Sequence, residues 1–193
     1  MAVLIGPAEP GFEDPIGLLT ACHRRIERFL GALCRAAEGY TETNLDPAAR
    51  VAIATALRYF RDAAPHHTED EERDLFPLLS TSDENGKDCI ATLEEEHRHA
   101  EALHAQVDRL GSAWLERGQL TEAERASLQA ALRELAKLYG AHIAFEENEV
   151  FPIARRVVGK DQLEAMGRHM AARRGVAYIP AIVPFGADSA RQG

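Results

Sequence analysis

One eleven-residue pattern, H-x-x-x-E-E-x-x-[apolar]-F-P, is written twice in this chain, at 67–77 and again at 142–152. On a helix, residues four apart lie on one face, so each copy aims an imidazole (His67, His142) and a carboxylate (Glu71, Glu146) in the same direction. Both copies continue an apolar stripe, so that direction is inward. An ionised carboxylate among apolar side chains is costly unless something compensates it. The fold must therefore bring the two copies together around a partner for their charge.

The surrounding sequence reads as helix throughout. An irregular arm is expected over 1–15, where prolines and glycines gather, followed by a helix over 16–38 ended near Gly39. Asp46-Pro47, a capping residue with proline at the first helical position, opens a second helix over 47–79, which Pro65 should kink or break. A polar turn over 80–86 leads to a third helix over 87–116. Past Gly118, the capping box Thr121-x-x-Glu124 opens a fourth, reaching about Val158. A short fifth helix over 161–174 and an extended tail over 176–193 complete the chain. Four long helices with short connections predict an all-α, up-down-up-down four-helix bundle over 16–175. The repeat falls on helices two and four, as approximate twofold symmetry requires.

Composition narrows the setting. The 193 residues suffice for one domain with a real core. A net charge of −9 argues against a nucleic-acid backbone or an anionic membrane as partner. No apolar run is long enough to span a membrane, and no signal peptide is read at the N-terminus. Three widely spaced cysteines, Cys22, Cys34 and Cys89, do not form a disulfide framework. The expected address is the cytoplasm.

The inward stripes locate the chemistry. Helix one gives Ile16, Leu19, His23, Ile26, Leu30 and Leu33; helix two gives Leu57, Phe60, Ala64, His67, Glu71, Leu75 and Leu78. Helix three gives Ile90, Leu93, His97, Glu101 and His104, and helix four gives Leu128, Leu132, Leu135, Tyr139, His142, Glu146, Glu149 and Ile153. Every helix interrupts its apolar stripe with histidine, and two of them add a glutamate one turn later. A single core histidine is ordinarily a hydrogen-bonded structural residue; four, one per helix, with two buried glutamates form a ligand set. His23, His67, Glu71, His97, His142 and Glu146 are the expected metal ligands, with Glu101 as a possible addition. Each copy of the repeat would supply a terminal imidazole and a carboxylate able to bridge two ions. Mixed imidazole and carboxylate donors suit iron, manganese or zinc, and the absence of thiolates argues against a structural zinc site.

At these residues the chain resembles the hemerythrin-like (HHE cation-binding) family, over about 14–174. The resemblance is carried by Cys22-His23-Arg24-Arg25, by His66-His67-x-x-x-Glu71-Glu72 with Leu-Phe-Pro, by Glu96-His97, and by His142-x-x-x-Glu146-Glu147 with Phe-Pro. It implies a four-helix bundle holding two non-haem iron ions that share an oxo or hydroxo bridge. Family members bind oxygen, nitric oxide or peroxide, sense iron or oxygen, or help repair iron–sulfur centres. Oxygen carriers of the family have a histidine where this chain has Glu101, and an aspartate five residues beyond the last histidine. The His142-x-x-x-Glu146 form resembles the bacterial sensor, repair and iron-regulatory branch instead. The expected function is a protein that binds or senses O2, NO or iron. The alternatives are a di-iron enzyme acting on peroxide or nitric oxide, an iron–sulfur repair-type protein, and a bundle with an assembly role. No separate proton donor stands out in the sequence, which favours binding over catalysis.

The remaining polar residues read as less central. His66 points about 100° away from His67 round the helix, His104 lies too far along its helix to share the metal pair, and His99 and His169 read as surface residues. Glu72, Glu147 and Glu149 read as solvated, with contact to ligand imidazoles left open. Tyr139 reads as a core tyrosine, or as one lining a cavity or donating a hydrogen bond to bound oxygen species, Cys22 as a buried thiol, and Phe76-Pro77 and Phe151-Pro152 as helix ends or kinks that pack lids near the site.

Overall fold

The chain begins its first helix where Asp14 can cap it, its Oδ1 accepting from the Gly17 N–H at 3.0 Å. A computed structural model describes residues 10–39, 45–80 and 86–179, the side chains of 86–88 excepted. Helix α1 (Pro15–Glu38) is followed by α2 (Pro47–Asp62), whose cap Asp46 accepts from the N–H groups of Ala48 and Ala49. At Pro65 the second long helix breaks as expected: α2 stops at Asp62 and α3 (Ala64–Asp70) restarts beyond Ala63. A π-helical turn (Glu71–Leu75) and α4 (Phe76–Ser80) finish that arm. Then come α5 (Gly86–Arg117) and α6 (Glu122–Phe145), the latter opened by the Thr121–Glu124 capping box. Between them Gly118 takes φ of 75°, the left-handed conformation that suits glycine after a helix. A second π turn (Glu146–Val150), α7 (Phe151–Val157) and α8 (Lys160–Arg173) complete the described chain.

α1 packs on α2 and α6, and α5 packs on the same two, so the four long arms close a ring in the order α1, α2, α5, α6. No strand occurs among the described residues, and the protein is an all-α bundle. One apolar core, including Leu30, Leu57, Leu110, Trp114, Leu132 and Leu135, fills one end. A second, including Ile16, Leu19, Leu75, Phe76, Phe151, Met166 and Met170, fills the other. The four buried histidines of the stripes and the glutamates Glu71 and Glu146 lie between these cores. α8 lies across the second end. It approaches the N-terminal arm so closely at Gly167 that a Cβ there would lie 2.0 Å from the Phe12 carbonyl oxygen.

The two π turns change the register that simple periodicity predicts. Pro77 and Pro152 have no N–H for the carbonyls of Arg73 and Asn148, and a proline ring crowds the carbonyl four residues before it. The ladder relaxes one residue earlier: the Phe76 N–H reaches the Glu71 carbonyl and the Phe151 N–H reaches that of Glu146. One extra residue is thereby accommodated in each turn. The buried stripe consequently runs on through Phe76 and Leu79 and through Val150, Phe151 and Ala154, while Leu78 and Ile153 are only partly buried and Glu149 is exposed. The Phe-Pro pairs neither end nor break their arms; they follow a slip in them. The expected arm over 1–9 and most of the expected tail, 180–193, lie outside the described residues, and residues 176–179 are without regular structure.

Candidate metal centre

Each long arm delivers one imidazole to the middle of the bundle: His23 from α1, His67 from α3, His97 from α5 and His142 from α6. Glu71 and Glu146 stand at the first position of the two π turns, and neither has any solvent-accessible surface (0%). All four Nε2 atoms face these carboxylates. His67 and His97 approach the two oxygens of Glu71 at 3.4 and 3.5 Å. His23 and His142 approach Glu146 Oε2 at 3.0 and 3.4 Å. Both carboxylates thus reach across between helices, and the six residues singled out from the sequence converge.

They converge as two overlapping groups of four. His23, His67, Glu71 and Glu146 bring one donor atom each to within 4.8 Å of one another, and so do Glu71, His97, His142 and Glu146. The glutamates belong to both. His23 Nε2 and all four carboxylate oxygens are buried without an aligned hydrogen-bond partner. Unsatisfied buried polar atoms are rare in native proteins, and five of them converging on one spot fit a cation.

Electrostatics supports the same conclusion. Burial, reinforced by the facing Glu146, pushes the Glu71 carboxyl well above the usual range. Burial and then the neighbouring imidazoles, His23 foremost, push His67 well below its own. His97 is lowered to about 4 by burial and then His142. Without a cation the site favours protonated acid and neutral imidazole; a bound cation removes the repulsion between the carboxylates and uses the imidazole lone pairs.

Around these six, the second half of each repeat makes contacts that the sequence had left open. Glu72, following Glu71, bonds His97 Nδ1 at 2.9 Å, and Glu147, following Glu146, bonds His23 Nδ1 at 2.9 Å. Phe76 stacks on the His97 ring (centroids 5.9 Å apart, planes 11° apart) and Phe151 stacks on His23 (5.4 Å, 11°). Each repeat therefore holds by edge and face a histidine of the helix that lacks the repeat. Glu96 bonds His142 Nδ1 at 2.7 Å; its place immediately before His97 was the one available hint. Carboxylates on Nδ1 fix which nitrogen carries the proton and leave Nε2 free to ligate.

Other candidates fall elsewhere. Glu101 is exposed and belongs to neither group of four, because beyond His97 the buried face of α5 passes through Ala100 and Leu103 instead. His66 is partly exposed, with Glu69 at 3.9 Å. His99 pairs with Glu134 at the surface, and His169, also exposed, bonds Asp74. Cys22 is buried, and burial raises its thiol pKa. His104, stacked on Phe60, shares a 2.9 Å hydrogen bond with Tyr139 Oη. Burial lowers His104 to about 4 and raises the Tyr139 phenol, so both are uncharged at neutral pH. This pair lines a cavity of about 300 Å³ that also touches His97 and Glu72. Tyr139 therefore lines a cavity beside the site, one of the two roles the sequence left open for it.

Asp70 is buried as well, which its place in the repeat does not announce. It has no exposed surface, and α8 neutralises it: Arg173 Nε donates to Oδ1 at 2.8 Å and Arg174 Nη2 to Oδ2 at 2.6 Å. Arg173 also bonds Asp74. The peptide preceding Glu71 is anchored to the last helix in this way.

A helical bundle with two imidazole–carboxylate groups buried at its centre defines a metal-binding protein. The chain matches the hemerythrin HHE cation-binding domain over residues 14–154, and it belongs to that family. It is also 35% identical over 171 residues to an uncharacterized protein of Haemophilus influenzae strain Rd, covering 86% of this chain and 92% of that one. The matched domain ends before α8, so the helix that neutralises Asp70 lies outside it. No helix among the described residues is long and apolar enough to cross a membrane.

Proposed function

We propose that His23, His67, Glu71, His97, His142 and Glu146 hold two iron ions, and that this cytoplasmic protein binds or senses O2, NO or iron there. The observation that carries the reading is the sharing of both buried carboxylates between two four-donor groups. Two imidazoles and two bridging carboxylates per ion leave room for a small ligand, and the mixed donor set without thiolate suits iron. When bound, such a pair supplies a coordination position and electrons to a small molecule.

The chain's own residues prepare that chemistry. Glu72, Glu96 and Glu147 orient three of the imidazoles. Phe76 and Phe151 cover two of the rings and limit water. The cavity beside His97 offers a small, uncharged molecule a route from the surface between α3, α5 and α6. Protein loaded anaerobically with ferrous iron is expected to hold two irons per chain and to develop a visible absorption band in air. Reduction should return it to the colourless form repeatedly. Zinc retained without colour, or no retained iron, would overturn the assignment.

One observation favours the catalytic alternative, an enzyme consuming peroxide or nitric oxide. Tyr139 Oη and His104 line the cavity and can hold or pass a proton there. Proton transfer by a positioned group contributes on the order of 10²–10⁴ in rate. On this reading Tyr139→Phe slows peroxide consumption by about 10²-fold with iron content unchanged. Equal rates for the variant and the wild type would leave the binding function standing alone.

A further inference from the structure

The bundle's twofold symmetry pairs His23 with His97, His67 with His142, Glu71 with Glu146 and Glu72 with Glu147. It fails at one place. In one half of the site both imidazoles are oriented, His97 by Glu72 at 2.9 Å and His142 by Glu96 at 2.7 Å. In the other half His23 has Glu147 at 2.9 Å, but the buried Nδ1 of His67 has no hydrogen-bond partner among the described residues. Glu96 reaches His142 from the position immediately before His97. The equivalent position, immediately before His23, holds Cys22, a buried thiol that accepts from Arg25 Nη2 at 3.5 Å. Where symmetry calls for a carboxylate, this chain has a group already engaged by a cation.

The remaining carboxylate of that half is also divided. Glu147 bonds His23 through Oε1, while its Oε2 takes a hydrogen bond from Arg24. When Nε2 ligates a metal, the imidazole proton must sit on Nδ1. For His97 and His142 that N–H meets a carboxylate; for His67 it is buried without a protein acceptor. Groups that accept this proton typically change metal affinity by about 10–100-fold.

Resting on the two-ion reading above, we infer that the two halves are unequal: the His97–His142 half fills first, and the His23–His67 half holds its cation about 10–100-fold more weakly. At limiting supply the protein is half loaded. The His23–His67 half is then the one whose occupancy follows the concentration of free divalent cation, which is how a metal-responsive protein would report it.

Repulsion between neighbouring cations separates two binding steps even in a symmetric site, so the test must see which half fills. Full-length metal-free protein is titrated with Zn2+ while the imidazole nitrogens are followed by 15N NMR. At one equivalent the resonances of His97 and His142 are expected to shift, with those of His23 and His67 following only toward the second. Removing Glu96 in a Glu96→Ala variant leaves one oriented imidazole in each half and is expected to abolish the order. Glu96 is partly exposed, so its loss does not threaten the fold. All four histidines shifting in parallel in the wild type, or His23 and His67 shifting first, would overturn the inference and leave the two-ion reading intact. Saturation at a single Zn2+ would overturn that reading, and the inference with it.

Discussion

A Glu71→Gln/Glu146→Gln variant is expected to bind no metal and yet to unfold at a higher temperature than the metal-free wild type. The first effect follows from geometry, since both carboxylates belong to both groups of donors and their loss leaves each group with imidazoles alone. The second follows from what those carboxylates cost without a cation. Each is fully buried, their oxygens lack hydrogen-bond partners, and they face one another. Removing two buried, facing carboxylates should raise the melting temperature by several degrees, at about 2–4 °C per kcal/mol for a chain of this size.

The gain should depend on pH in a definite sense. Glu71 has its folded pKa raised above the ordinary 4.5, so in the metal-free protein its contribution to stability is fully present below pH 4.5. It is lost as pH rises through the folded value. The variant escapes that loss. Its advantage is therefore greatest at neutral to alkaline pH and fades toward pH 4. Thermal melts of both apoproteins across that range, with metal stoichiometry alongside, decide it. A variant less stable than the metal-free wild type at pH 8 would mean that the carboxylates are satisfied without a cation.

The second large effect lies in α8. Arg173→Ala/Arg174→Ala leaves Asp70 buried and uncompensated, a situation that costs about 3–5 kcal/mol and lowers the melting temperature by about 6–20 °C. Adding Asp70→Asn removes the stranded charge and should recover most of the loss. Failure of that rescue would assign the damage to detachment of α8, whose Met166 and Met170 fill the second core, rather than to the charge. Asp70 and these arginines also anchor the backbone just before Glu71, and that anchor is lost in the double and the triple variant alike, so metal content should fall in both.

How much of this was legible in the chain follows from the range of each interaction. The inward stripes are local, and the period of the helix put His23, His67, His97, His142, Glu71 and Glu146 on them without tertiary information. Caps at Asp46 and Thr121 and the break at Pro65 are equally local. The slip after each glutamate was missed because proline in a helix reads first as a terminator; here it acts one turn upstream and widens the ladder. Glu72, Glu96 and Glu147 lie off the stripe by one residue, where a carboxylate looks solvated, and only the meeting of different helices gives each an imidazole. Asp70 with Arg173 and Arg174, or His104 with Tyr139, are pairings between distant segments that no spacing rule relates. Glu101 illustrates the opposite error: it is four residues beyond His97, but the buried face of that stretch runs through Ala100 and Leu103.

The crossed arrangement of the repeats has a consequence for how such a centre can change over generations. The first half of each copy supplies donors, while its second half steadies a histidine on another helix. A substitution at Glu147 or Phe151 is thus felt at His23, and one at Glu72 or Phe76 at His97. Neither copy can drift alone without loosening a donor it does not contain. Two segments that could have become independent are instead hostage to one another, and change is freer at positions outside the eleven-residue pattern, of which Cys22 is one.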